Sequence, residues 1–240
     1  TPLSGKNRGH GQAVAHGPLL FLWSLTETAE VSECRRFNFA MPWKAMYEER
    51  KRSLDEALKA VKRGNKVFLG TGCAEPQYLV EGLIERASRL HDVQILHFVT
   101  LGKARYTEKL LDNRFRHNAF FIGPNTRDAI NEARADYTPI FISEIPDLLR
   151  RGIVPVDVAL VQVSPPDDHG FVSLGISVDI VKAAVQNATT VIAQVNSRMP
   201  RVHGDGFVHV DVLDYIIPHD EELLVYEDTT PDEIAHAIGR

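Results

Sequence analysis

Cysteine is nearly absent. The 240 residues hold two, Cys34 and Cys73, far apart in sequence. Two cysteines make neither a disulfide framework nor a four-ligand zinc site, so a reducing, cytoplasmic compartment is the expectation. Positive charge is also in short supply. Against 32 Asp and Glu there are 27 Lys and Arg, a formal net charge of −5, which removes the electrostatic case for nucleic acid. No apolar run approaches the ~20 residues of a membrane-spanning helix, so no membrane partner is expected. No histidine pair has the i, i+4 spacing of a helical metal site, and no metal is expected. No internal repeat is visible. The composition that remains, 44% hydrophobic and 25% charged, is that of an ordinary globular protein with room for one large domain or two small ones.

One stretch organises the rest. Val156 to Val163 is almost continuous apolar residue, mostly valine, the composition of a strand buried on both faces of a parallel sheet. It ends at Ser164, and Pro165-Pro166 forbids both helix and further ladder pairing. Asp167, Asp168, His169 and Gly170 then form a tight polar turn. A core strand thus delivers a rigid polar loop to its own C-terminal edge, where open α/β sheets bind ligands. A second such place is GTGCAEPQ, Gly70 to Gln77, between the strand Lys66–Gly70 and a helix over Tyr78–Leu90. Amide groups at a helix start can hold an anion or a carbonyl oxygen there, although the loop is not GxGxxG and carries no Walker lysine. A third follows the strand Thr190–Val195 and runs from Asn196 through Met199 and Pro200.

Between these, periodicity predicts a helix over Trp43–Arg63 stopped by Gly64, and strands over Val93–Thr100, at AFFIG (Ala119–Gly123) within His117–Gly123, and over Tyr137–Ile142. A short helix is predicted around Glu108–Leu111. Another runs to Arg134, N-capped by Asn125 or Thr126. Further helices are predicted from Ser143–Pro146 to Arg150 and over Ser177–Gln186. A last strand is expected at Asp214–Ile217, followed by a final helix with Thr230 as N-cap, Pro231 at N1 and Glu233 at N3. Strands alternating with helices from 66 to 195 argue an α/β domain with a mostly parallel sheet flanked by helices. Residues 1–40 lack any period and begin with a Gly/His-rich run. They read as a poorly ordered or non-native extension, with Met41 or Met46 as an alternative start, since Leu19–Leu25 is short for a signal core and no small-x-small site follows it.

SPPDDHGFVSLG, residues 164–175, resembles the S-P-P-D-x-H-G-[YF]-x-S-L-G string of the acetyl-CoA hydrolase/transferase family. That family includes the 4-hydroxybutyrate and butyrate:acetate CoA-transferases. GTG-x-x-x-PQ at 70–77 resembles the family's first strand-to-helix loop, and NSRMPRVHGDG at 196–206 its N-x-x-M-P-R-x-x-G-[DN] segment. The resemblance begins near Met46. It implies the N-terminal domain of a family I CoA-transferase (NagB/RpiA/CoA-transferase-like) over 41–226, with 227–240 as linker and the start of a second domain that is expected to lie outside this chain.

It also implies chemistry. In the family a glutamate carboxylate in the second domain attacks the acyl-CoA thioester, giving an acyl anhydride and then a glutamyl-CoA thioester that a second carboxylate resolves. The substrates would be an acyl-CoA and a short-chain carboxylate, with coenzyme A entering as a thioester substrate and no cofactor bound covalently. The full-length protein is expected to be a homo-oligomer. The chain's share of the substrate pocket would be Gly70, Thr71, Gly72, Ala74 and Gln77, then Ser164, Pro165, Asp168 and Gly170, then Asn196, Met199 and Pro200. No catalytic residue is expected here. Glu75 and Glu144 read as dipole-compensating carboxylates at helix starts, and His169 as a residue that holds its turn by hydrogen bonds rather than a general base. The chain alone is expected to be inactive. Three other functions remain open: an acetyl-CoA hydrolase of the same family, a non-catalytic ligand-binding or assembly domain, and a sugar-phosphate isomerase. The absence of basic phosphate ligands from the 70–77 loop counts against the last.

Overall fold

The computed structural model describes residues 42–226 and 231–239. The expectations for 1–40, for Cys34 and for Thr230 lie outside the described residues. Helix α1 (Trp43–Arg50) ends where Lys51 turns extended and bridges to Ile216, and α2 (Leu54–Leu58) starts afresh. The single helix expected over 43–63 is therefore two. A capping box causes the break. The Ser53 hydroxyl accepts from the Glu56 amide at 3.4 Å, and the Glu56 carboxylate accepts from the Ser53 amide at 3.1 Å, so Ser53 starts a helix instead of continuing one. Ser53→Ala should cost about 1 kcal/mol in urea unfolding. An unchanged midpoint would show that packing, not the cap, sets the break.

Strand β1 (Lys66–Leu69) leads into α3 (Gln77–Glu85), and β2 (Val93–His97) follows. Residues 101–116 carry two single 3-10 turns, at Arg105–Thr107 and Lys109–Leu111, in place of one short helix. Strand β3 is Phe115–Ala119, four residues earlier than the expected AFFIG and sharing only Ala119 with it. Helix α4 (Pro124–Asn131) has Gly123 as its N-cap with Pro124 at N1. Asn125 does not cap it; its amide donates instead to the Gly102 carbonyl at 2.7 Å. Strand β4 is only Asp136–Tyr137, a short edge, followed by α5 (Ile145–Arg150), β5 (Val158–Val163) and β6 (Phe171–Ser173). Helix α6 is Val181–Asn187, four residues later than expected, and the Asp179 carboxylate just before it accepts from the Ile180 and Val181 amides. Strand β7 is Thr190–Val195, β8 is Phe207–His209 and β9 is Tyr215–Pro218. Helix α7 (Glu233–Ile238) is N-capped by Asp232, whose carboxylate accepts from Ala235 at 2.7 Å.

Seven strands form one parallel sheet in the order β4-β3-β2-β1-β5-β7-β9. The chain winds outward from β1 to β4, then returns to β5 on the other side of β1. The switch point of the sheet lies between β1 and β5, the place where such folds open a crevice. Alternate residues of each strand feed opposite cores. Val158 and Leu160 meet Leu58, Leu79 and Leu83, while Ala159, Val161 and Val163 meet Leu149, Val181 and Val185. Both faces are thus covered, as a parallel sheet requires. Strands β6 and β8, which periodicity did not reveal, pair antiparallel outside this sheet and fold the segment after β5 back onto Gly206–His209.

Candidate functional site

Strands β1, β5 and β7 are adjacent and parallel, so the loops that follow them leave the sheet at one edge. Polar residues accumulate there. On the α3 side of the sheet the apolar series of β5 and β7 gives way to Gln162 and Gln194, which are register partners, and then to Asn196. All three are buried. The Asn196 amide donates to Gln162 Oε1 at 2.5 Å and to the Glu221 carbonyl at 2.8 Å, and Gln162 Nε2 donates to the Glu75 carbonyl at 3.3 Å. The loops after β1 and β7 are thereby joined through a strand residue. Buried amides need partners, and here their bonds hold loops together, although Gln194 Oε1 is buried without one.

The first loop is the most constrained. Thr71 is fully buried and its hydroxyl donates to Asp179, tying the loop to the start of α6. Gly72 takes φ +58°, and its amide donates to the Val99 carbonyl at 2.7 Å. A Cβ there would lie 2.9 Å from the Ser177 hydroxyl, so glycine is required twice over. Ala74 is buried behind it. Glu75 does not compensate a helix dipole. Only 1% exposed, it turns toward the segment after β2, where Oε2 accepts from the Thr100 hydroxyl at 2.9 Å, the Leu101 amide at 3.2 Å and the Gly102 amide at 3.0 Å. Burial raises its pKa, and these donors work against the rise. Gln77 opens α3 and is half-buried.

Gly70 closes a second contact with β2. His97 Nε2 lies 3.1 Å from the Gly70 carbonyl and Nδ1 lies 3.1 Å from the Tyr106 hydroxyl. A carbonyl can only accept, so Nε2 carries the proton and Nδ1 accepts from the phenol. Burial lowers the pKa of His97 to about 4, and that of the adjoining His117 to about 3. Burial, with the Glu75 charge, raises that of Tyr106. Both imidazoles are therefore neutral at neutral pH, with His97 bonded at both nitrogens and His117 Nδ1 buried without a partner.

The 164–170 loop is held from within. Asp167 accepts from the His169 amide at 2.9 Å, the Phe171 amide at 2.8 Å and Arg201 at 2.5 Å. Slight burial opposes its charge, but the two amides and Arg201 outweigh it and hold the carboxyl below its usual range. His169 supports the turn through its backbone amide, not through its ring. The Ser164 hydroxyl accepts from the Ser173 amide at 2.9 Å and donates to the Pro165 carbonyl at 3.0 Å. Gly170, at φ +84°, lies under Trp43 and His209. Trp43 Nε1 donates to the Asp168 carbonyl at 3.0 Å, while Pro165 and the Asp168 side chain are exposed. In the third loop Met199 is buried against Gly175 and Pro200 is exposed. Among the described residues no group of three or more His, Cys, Asp or Glu could hold a metal ion.

Residues 219–224 had no expected role, yet they return from β9 across this edge. His219 stacks on Tyr78 at 3.6 Å, Asp220 accepts from the Ser197 amide at 2.6 Å, and Glu221 accepts from Gln194 at 2.8 Å. Glu222 pairs with Arg198 at 2.5 Å.

The model of the acetyl-CoA hydrolase/transferase N-terminal domain matches residues 33–226. The chain belongs to the acetyl-CoA hydrolase/transferase family. Its matched span bears out the resemblance carried by residues 70–77, 164–175 and 196–206. Among curated relatives, the 4-hydroxybutyrate coenzyme A transferase of Clostridium kluyveri is 40% identical over 199 residues, 83% of this chain and 46% of that one. The succinyl-CoA:acetate/propanoyl-CoA:succinate CoA transferase of Fasciola hepatica is 46% identical over 157 residues, 65% of this chain and 32% of that protein. The crystal structure of RipA from Yersinia pestis superposes with a TM-score of 0.75 at 27% identity, covering 80% of this chain and 47% of that one. The chain therefore spans about half the length, or less, of these relatives. Among the described residues no helix is long and apolar enough to cross a membrane.

Proposed function

We propose that this chain is the N-terminal half of a cytoplasmic acyl-CoA:carboxylate CoA-transferase, contributing one wall of the substrate site while a glutamate from a second domain serves as nucleophile. The observation that carries the reading is the state of Glu75. It is the carboxylate built into the family-matching loop. Three donors occupy Oε2, and Oε1, which has no partner, is buried away from solvent and so from any substrate. A carboxylate that must attack a thioester has to present a free oxygen lone pair to the substrate. Glu144, the other carboxylate near a loop, is exposed at the start of α5 and accepts only from the Phe141 amide, at 3.4 Å. Neither is set up for attack.

The reaction balances without a cofactor. The nucleophilic carboxylate displaces CoA thiolate to form a mixed anhydride. The thiolate then attacks the glutamyl carbonyl and frees the first carboxylic acid. The acceptor carboxylate reverses both steps. This chain's part is to position the acyl group with backbone amides and small side chains, Gly70 to Gln77, Ser164 to Gly170 and Asn196 to Pro200. The test compares two proteins with acyl-CoA and labelled acetate: the 240-residue chain, and the same chain joined to a family second domain. Label should enter the CoA ester only with the joined protein, and borohydride should trap a thioester only on a glutamate of the added domain. Trapping on Glu75 or Glu144 overturns the reading. Release of free CoA without label exchange replaces it with the hydrolase.

A further inference from the structure

Between the 164–175 loop and α6 runs a segment with no role so far, Ile176 to Ile180. It backs the first loop. Ser177 fills the space that a side chain at Gly72 would need. Two residues on, Asp179 divides its carboxylate between two places. Oδ1 accepts from the Ile180 amide and from the Val181 amide at 3.3 Å. Oδ2 accepts from the Thr71 hydroxyl. Asp179 is exposed, whereas Thr71 is 0% exposed. A charged acceptor makes the stronger kind of hydrogen bond, and a buried hydroxyl that lost it would keep its desolvation cost.

The loop so held has a backbone donor to spare. The amides of Gly70, Gly72, Ala74 and Glu75 donate to the carbonyls of Leu160, Val99, Thr71 and Gly72 at 2.8, 2.7, 3.2 and 3.3 Å. The Gly70 carbonyl is engaged by His97 at 3.1 Å. The Cys73 amide donates to no described residue, and Cys73 is half-buried in the turn. Its placement is fixed from both sides, by Gly72 at φ +58° before it and by the bond from Ala74 back to Thr71 after it. Thr71 thus anchors the turn, through its carbonyl from within and through its hydroxyl from outside.

We infer that Asp179 is a positioning residue: by holding the Thr71 hydroxyl it fixes the turn that presents the Cys73 amide to the carbonyl oxygen of the acyl thioester. The inference rests on the transferase reading for the identity of that carbonyl. When a carboxylate attacks a thioester, the carbonyl π pair moves onto oxygen. An amide already aimed at that oxygen bonds it more strongly as the charge develops. Asp179 supplies the aim, since a donor on a loose turn would have to be reoriented during the step.

S-acetyl-N-acetylcysteamine, an acyl thioester without the nucleotide of CoA, is the probe for the 240-residue chain. Followed by NMR, it should shift the Cys73 amide saturably. Thr71→Val removes the hydroxyl, keeps the shape and leaves Asp179 bonded to the Ile180 and Val181 amides. It should weaken binding about threefold, the order of one neutral hydrogen bond. Asp179→Ala should weaken it equally and the double variant no further. Thr71→Ser, which keeps a hydroxyl, should recover most of what Thr71→Val loses. In the joined protein Thr71→Val should lower kcat at least tenfold and raise KM no more than about threefold, because the bond strengthens in the transition state. If Asp179 served only the start of α6, Asp179→Ala would lower the urea midpoint and Thr71→Val would leave both binding and kcat alone. That pattern, an unshifted Cys73 amide, or losses that add in the double variant overturns the inference. The two readings fail separately. A joined parent that exchanges no label removes the transferase reading, and the titrations still decide whether Asp179 positions the amide. A joined parent that exchanges label, matched in kcat by Thr71→Val, removes the positioning role alone.

Discussion

Glu75→Ala should destabilise the chain by about 3 kcal/mol in urea unfolding at neutral pH, among the larger effects of a single polar substitution. The carboxylate is the shared acceptor for the Thr100 hydroxyl and the amides of Leu101 and Gly102. Alanine strands three donors in a buried place and opens a gap between the loops after β1 and β2. Glu75→Gln keeps the shape and an acceptor oxygen. Because burial already disfavours the charge, the amide should cost about 1 kcal/mol or less. Amide exchange at Leu101 and Gly102 should quicken in the alanine chain and scarcely change in the glutamine chain. If glutamine proves as damaging as alanine, charge rather than acceptor geometry holds these loops. If alanine costs less than 1 kcal/mol, the loops stand without Glu75.

The parts of this architecture that were legible in the sequence are those set by local pattern. The valine-rich run and TVIAQV read directly as β5 and β7, because a strand buried on both faces needs no partner to declare itself. The break after Arg50 was written in the sequence as Ser53-x-x-Glu56, yet the apolar spacing of Met46, Leu54, Leu58 and Val61 outweighed it. Strands β6 and β8 are three residues each and far apart in the chain, too short to carry a period, and they exist because Phe171–Ser173 and Phe207–His209 meet in space. Residues 219–224 carry no local pattern that marks a role, for their hold on the edge depends on Gln194, Asn196 and Ser197, which only folding brings near. One signal was available and unused. VALVQV and TVIAQV each place a glutamine one residue before the last, and two polar residues at matching positions of adjacent core strands mark where a sheet turns polar. Within the 164–170 loop, Asp167 rather than Asp168 makes the internal bonds, since an Asx turn is formed by the residue that precedes the amides it accepts.

Acid should unfold this protein earlier than its carboxylates require. His97 and His117 are neutral and buried, with pKa values lowered to about 4 and about 3, whereas in the unfolded chain each would titrate near 6.5. The folded state therefore binds fewer protons than the unfolded state between these limits. Stability is fully present above about pH 6.5 and falls as pH drops toward 4. For each ring the loss between pH 6.5 and 4.5 is about 2 kcal/mol. Glu75 pulls the other way, since its raised pKa lets the folded chain take up a proton readily as pH falls. The depressed carboxyls of Asp136 and Asp167 add their losses only below the ordinary range of aspartate, under about pH 4. In the window from 6.5 to 4.5 the histidines therefore act against Glu75, and it is the difference between the parent and His97→Gln that isolates His97. Protonation of His97 also has a local consequence. Nδ1 would become a donor facing the Tyr106 hydroxyl, which burial and the Glu75 charge keep protonated, so the phenol would have to rotate and accept from the ring. Urea midpoints measured every half pH unit for the parent chain and for His97→Gln decide the matter. The parent should lose stability steadily through the window, and His97→Gln should start lower but fall along a slope shallower by one ring's share. Parallel curves would mean that His97 titrates in the folded protein as it does in the unfolded chain, and a steeper fall in His97→Gln would mean that the Gly70 carbonyl is held by an imidazolium.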